Sequence, residues 1–368
     1  MKQIPRIISV DDHVVEPPDL WTNRLPKKYL DRGPRVVREK GKYGGTEGFT
    51  WQPGAEDGEW ADVWYYDDLV SPFSRLSAAV GLGDLGFGVT TFDQIRPGAW
   101  KRDERLADME ANHMDASICF PNTLPRFCGQ TFMERADKEL AGVCVTAYND
   151  WMIDEWCAGE GYGKLIPLTM VPLWDPELAA AEVRRCADKG SHAITFSENP
   201  YPLGLPSIHS GKWDPLFAAC QDTESVLCMH IGSSSRMPGT TPDAPFIVSS
   251  TLTFQNAMGS LLDFVFSGTL ARFPELVIAY SEGQVGWMPY VLERMDKLWH
   301  ERVNNSFGSS LPEPPTSYIK GRVYGCIFDE KVATEICEQA GLNDEETYKL
   351  LRGNAIKAFG LQRFGIES

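Results

Sequence analysis

The sequence has no long apolar run, no cluster of Lys and Arg and no closely paired cysteines, and each absence removes a class of protein. Its first ten residues hold only Ile7 and Ile8 behind Pro5 and Arg6, with no small-residue cleavage site. Neither a secretory leader nor a membrane span is expected there. Lys and Arg number 35 against 51 Asp and Glu, a formal charge of -16. A phosphate backbone would be repelled, so nucleic acid is not an expected partner. Nine cysteines, an odd number with no C-x-x-C spacing, read as reduced, mostly buried thiols of a cytoplasmic protein.

What is present is apolar content, 43% of 368 residues, enough to bury one large core in a single domain spanning residues 1–368. Short β-branched or apolar runs alternate with amphipathic stretches, the pattern of repeated β-α units and a parallel sheet. Seven strands are predicted, at 7–10, 116–120, 165–171, 193–196, 226–230, 276–280 and 323–328. Helices are predicted at 176–187, 256–270 and 289–300. In the first, Asp175 is the cap, Pro176 takes the first helical position, and Leu178, Ala181 and Val183 face the core. Residues 17–105 break this rhythm; they are rich in Gly, Pro, Asp and aromatics such as Trp51, Trp60, Trp64, Tyr65, Tyr66 and Phe73. They are expected to form an inserted cap over the mouth of an α/β barrel, with the aromatics mainly in a local core.

Two places carry chemistry. The first strand runs into Asp11-Asp12-His13, followed by Glu16-Pro17. Side chains alternate along extended backbone, so Asp11 and His13 share a face and can grip one ion while Asp12 turns away. A carboxylate oxygen and an imidazole nitrogen suit Zn2+, with Mn2+ or Fe2+ as alternatives. The other reading is a polar turn with a satisfied histidine. The second place is His230, which closes the apolar run 226–230 at the carboxyl end of a buried strand, where a barrel displays its catalytic groups.

The D-x-H and E-P residues resemble the first-strand metal motif of the amidohydrolase superfamily, in the branch of aminocarboxymuconate-semialdehyde decarboxylase and resorcylate decarboxylase. Leu106-Ala107-Asp108-Met109-Glu110, Phe120-Pro121-Asn122, Ser267-Gly268, Arg272-Phe273-Pro274 and Gly353-Asn354-Ala355 look like further landmarks of that branch, and the resemblance covers nearly the whole chain. It implies a (β/α)8 TIM-type barrel, with Asp11, His13 and His230 as metal ligands and His230 also serving catalysis. It further implies a small-molecule substrate, a carboxylic or aromatic acid, undergoing non-oxidative decarboxylation or hydrolysis in a homo-oligomer. Many members end the sixth strand with an assisting His. Here Glu282 is the nearest substitute, as ligand or acid/base, unless it is a helix-start carboxylate.

The pattern breaks near the end. Members carry an Asp on an eighth strand, but 323–330 resembles strand seven and 331–334 already resembles the helix after strand eight. About 30 residues, one β-α unit, are missing between them. Asp329 is the candidate stand-in. This gap opens a rival reading, a catalytically degenerate barrel acting as a binding or scaffold protein. A third, a dinucleotide-binding oxidoreductase, rests on the glycine spacing of 81–89, which lacks the preceding strand and the acidic residue.

Overall fold

In a computed structural model, residues 5–44, 50–81, 88–302, 311–327 and 341–367 are described. Their strands are β1 Ile7–Val14, β2 Arg35–Gly44, β3 Thr50–Pro53, β4 Glu59–Tyr66, β5 Leu69–Pro72, β6 Met114–Pro121, β7 Leu165–Ile166, β8 Thr169–Met170, β9 Ala193–Ser197, β10 Val226–His230, β11 Ile278–Ser281 and β12 Val323–Gly325. Two sheets are parallel, in the orders β1-β6-β7 and β12-β11-β10-β9-β8. β7 and β8 are two halves of the run predicted at 165–171. Pro167, which has no amide hydrogen to give, falls between them. The first half pairs with β6 and the second with β9, so one stretch of chain joins the sheets.

Every residue of β9 and β10 is buried, as their mainly apolar sequences require in a sheet covered on both faces. One face packs on helices through Phe196, Trp213, Phe217, Phe264 and Leu276. A separate cluster joins Ile8, Ala116, Ile118, Ile166, Val226 and Ala279 to Ile356, Phe359, Leu361 and Ile366 from the end of the chain. Among the described residues, β1 pairs only with β6 and β12 only with β11. Strand twelve stops at Gly325, and Phe328 of the predicted run lies outside the described residues.

Helix Pro176–Asp188 starts as expected, with Asp175 accepting from the backbone N–H of Glu177 and Leu178. Its inner face is corrected: Leu178 and Ala181 are exposed, while Ala179, Ala180, Val183 and Cys186 are buried. The 179/183/186 spacing is one helical stripe, and its small residues let the helix lie close. The helix predicted at 256–270 ends at Phe266, because Gly268 takes φ +73 and starts a new turn, Thr269–Arg272. The third predicted helix spans Met288–Arg302. No helix among the described residues is long and apolar enough to cross a membrane. The eight described cysteines are free and buried.

The irregular stretch after β1 holds an antiparallel sheet, β3-β2-β4-β5. Trp64, Tyr66 and Phe73 are buried there, and Trp60 is exposed. Trp64 meets Trp21 edge-on at 5.4 Å, and Tyr66 meets Phe132 at 5.6 Å. This layer packs on helix Lys138–Trp151 through Leu140, Ala141, Cys144 and Tyr148. Asn122 also reaches across to the Ser77 carbonyl.

Candidate metal centre

The site begins with uneven pairing. Ser9 stands opposite Ser117 but Asp12 stands opposite Cys119, so β1 carries one extra residue in a bulge. Asp12 then takes a hydrogen bond from Ser117 Oγ on the neighbouring strand. Asp11 and His13 turn the other way and meet His230 from the end of β10. The ligand-type atoms of these three residues lie within 4.8 Å of one another. His13 Nε2 is 3.1 Å from His230 Nε2, which is 3.4 Å from Asp11 Oδ1.

Hydrogen bonding decides which atoms are free. His230 Nδ1 lies 2.7 Å from the Ile231 carbonyl oxygen, which can only accept, so Nδ1 carries the hydrogen. In the neutral ring Nε2 therefore presents a lone pair, and it faces the other imidazole. Two lone pairs at that distance require a cation or a proton between them. Asp11 Oδ1 is buried with no hydrogen-bond partner, as is His13 Nδ1. Asp11 Oδ2, by contrast, accepts from the Glu282 N–H at 2.9 Å and from Cys326 Sγ at 3.4 Å.

Burial pushes the His13 imidazole down to about 4, and His230 beside it adds to the effect. Burial also acts to lower His230, but the Asp11 carboxylate and Glu282 outweigh it and raise that ring. For Asp11 burial acts upward, yet His230 and His13 hold its carboxyl below the usual range. Without an ion, these opposite shifts favour His230 over His13 as the first ring to take a proton. A divalent cation would displace that proton.

Glu282 follows β11 with φ +52, a left-handed backbone that costs a residue with a side chain on the order of 1 kcal/mol or more. Its N–H bond to Asp11 holds it there. Its Oε2 lies 3.8 Å from His230 Nε2, and burial raises its carboxyl. The next helix begins only at Met288, so the helix-start reading of Glu282 is corrected. Asp329 lies outside the described residues, as do 82–87 of the glycine-spaced segment.

Other residues complete the surroundings without having been singled out from sequence. The Phe127 ring stacks on His230 at 4.4 Å and 13°, and Phe120 meets it edge-on at 5.0 Å. Gly232 is at φ +82, where an added Cβ would stand 3.1 Å from the Phe127 ring. Arg105 donates to the His13 carbonyl at 2.7 Å. Glu16, fully buried, accepts from the N–H groups of Asn122 and Thr123, each at 2.9 Å, and ties the exit of β1 to that of β6. Glu16 was visible only as half of an E-P pair. Phe127 and Arg105 carried no local signal.

No curated protein matches the chain. Among solved structures, an amidohydrolase from Mycobacterium avium subsp. paratuberculosis is 18% identical with a TM-score of 0.69, covering 97% of this chain and 99% of its own. A dihydroxybenzoic acid decarboxylase from a Polaromonas species, with bound manganese and the inhibitor 2-nitroresorcinol, is 14% identical with a TM-score of 0.59 and 98% of both chains covered. The 5-carboxyvanillate decarboxylase of Sphingomonas paucimobilis is 18% identical with a TM-score of 0.54, over 70% of this chain and 82% of its own. These likenesses show a shared fold. A sequence model of the amidohydrolase family matches residues 60–319, most of the length, and on that match the chain belongs to the amidohydrolase family of enzymes.

Proposed function

We propose that the chain is a metal-dependent enzyme acting on a small carboxylic or aromatic acid, by non-oxidative decarboxylation or by hydrolysis. The observation that carries this reading is the facing pair of imidazole Nε2 atoms 3.1 Å apart beside the buried, unpartnered Asp11 Oδ1. Asp11, His13 and His230 would hold the ion. One oxygen and two nitrogens suit Zn2+, with Mn2+ or Fe2+ as alternatives, and manganese is bound in the Polaromonas relative. Bound there, a divalent cation supplies Lewis-acid charge to a substrate carboxylate, hydroxyl or carbonyl.

The chain's own residues would do the rest. Glu282, its carboxyl raised by burial, stands within reach of the site and would pass a proton to the carbon whose bond to the departing carbon dioxide breaks. Phe127 and Phe120 cover the flanks of His230 and keep water from them. The aromatic class is suggested by the names of the structural relatives, decarboxylases of dihydroxybenzoate and carboxyvanillate.

In this reading the whole chain is one domain, residues 17–105 are its cap, and the seven parallel strands curve into a TIM-type barrel lacking strand eight. Its eight described cysteines, free and buried, fit a cytoplasmic protein, and a symmetric homo-oligomer is the usual state for such enzymes. The scaffold reading rests on the sequence, in which the segment that would carry the strand-eight Asp is missing. Metal analysis after incubation with Zn2+ or Mn2+, followed by carbon dioxide release from 2,6-dihydroxybenzoate and 5-carboxyvanillate, separates the two. An enzyme takes up a stoichiometric ion and loses turnover when a chelator removes it. A chain that takes up no ion is the scaffold.

A further inference from the structure

Glu198 is a buried carboxylate that the mechanism above leaves unused. It directly follows β9, level with the end of β10, because Ser197 pairs with His230. The residue is 1% exposed, and its Oε1 collects three donors: Gly232 N–H at 3.0 Å, Ser234 Oγ at 2.9 Å and Asn256 Nδ2 at 2.9 Å. Its own N–H donates to Ser233 Oγ at 2.9 Å.

The Gly232 N–H and the Ile231 carbonyl belong to one peptide group, and that carbonyl accepts the Nδ1–H of His230 at 2.7 Å. Carboxylate, amide and imidazole therefore form a single chain of hydrogen bonds. An anion on the N–H side of a peptide polarises it and enriches its carbonyl oxygen, so each bond strengthens the other. We propose that Glu198 is a positioning residue for His230: through the Ile231–Gly232 peptide it fixes the ring as the Nδ1–H tautomer and keeps the Nε2 lone pair aimed into the site. The tautomer claim stands on this geometry; that a cation then occupies the site rests on the metal reading. A carboxylate touching a metal-bound histidine directly performs the same task, and here one amide is interposed. Burial pushes the Glu198 carboxyl up to about 6 against its three donors, which still leaves the anion present at neutral pH.

The test uses the full chain, metal-free, in mildly alkaline buffer with nitrogen-15 in its histidines; His230 is assigned by the signals lost in His230→Gln. The wild-type ring shows one Nδ1–H tautomer. Glu198→Gln keeps the shape and an accepting oxygen but not the charge. In it the tautomer populations even out, and zinc affinity by chelator competition falls about tenfold, the low end for partners of metal-bound histidines. Ser234→Ala removes a donor but spares the Gly232 bond, and leaves both readouts unchanged. Should Glu198→Gln not fold, Glu198→Asp withdraws the same anion from Gly232 and gives the same two changes. The proposal is overturned by a folded Glu198 variant with the wild-type tautomer, by a mixed tautomer in the wild type, or by a Ser234→Ala effect as large as that of Glu198→Gln. A wild type that binds no zinc defeats the metal reading alone, because the tautomer comparison needs no ion.

Discussion

On the side of β9 and β10, ladder pairs run without a break from Val226 and Ala193 to His230 and Ser197, and beyond the strand ends Glu198 gathers the loop that follows. On the opposite side, β1 meets β11 and β12 through side chains. Ser281 Oγ donates to the Val10 carbonyl at 3.1 Å, and Asp11 Oδ2 takes both the Glu282 N–H and the Cys326 thiol. The first wall is held by backbone bonds and a buried aromatic core. The seam is held largely through Asp11, which would also contact an ion. His230 is thus oriented before anything binds, whereas Asp11 Oδ1 and His13 Nδ1 are left without partners. Binding of a cation to the folded chain alone stabilises it by mass action and would tie the seam to the wall through His230.

Glu282→Gln probes the chemistry of the seam without touching its backbone bond to Asp11. In metal-loaded chain, kcat should fall by about 10²–10⁴-fold with metal content unchanged, the range for a lost general acid. Full activity with normal metal content would remove Glu282 from the mechanism. On the wall, Phe196→Ala should cost about 3–5 kcal/mol, because the ring is fully buried against Trp213 at 4.9 Å and Phe217 at 6.3 Å. Urea unfolding with an unchanged m-value checks this; a shift under 1 kcal/mol, about a third of the lower bound, would mean the core there is loose.

The two imidazoles offer a subtler contrast in metal-free chain. His13, held near 4, favours folding as a neutral ring, so its contribution is present above its ordinary 6.5 and is lost as pH falls from there towards 4. His230, raised above 6.5, contributes fully below that value and loses the contribution as pH rises through its folded-state value. Titration of the histidine ring signals should show His230 taking the first proton as pH is lowered; the reverse order would refute the assignment. The smallest effect belongs to Ser281→Ala, which removes one hydrogen bond across the seam and should cost about 1 kcal/mol. Loss of several would show that the seam is held far more tightly than three side-chain contacts allow.

The wall was largely legible in the sequence and the seam was not. β9 and β10 could be read because a strand covered on both faces is mainly apolar, and His230 stood out as the polar residue ending such a run. The same logic applied to Ala193–Ser197 points at Glu198, one residue on, which was passed over. Asp11 and His13 were legible as a local pair. Their relation to Glu282 and Cys326 was not, since it depends on where the chain's end leaves β12 relative to β1. In the helix after β8 the buried stripe runs through Ala179, Val183 and Cys186, and Leu178 and Ala181 lie off it in solvent, a choice of face that only the packing partner decides.

The bulge in β1 has a consequence for comparing this chain with others. Over the span where β6 advances from Ser117 to Cys119, β1 advances from Ser9 to Asp12 and so accommodates two neighbouring carboxylates with different tasks. Deleting Val10 would even out the count and leave Asp11 and His13 on one face. An alignment that threads this segment onto a regular strand from Ser9 without a gap will set Val10, not Asp11, in the inward column opposite Ile118.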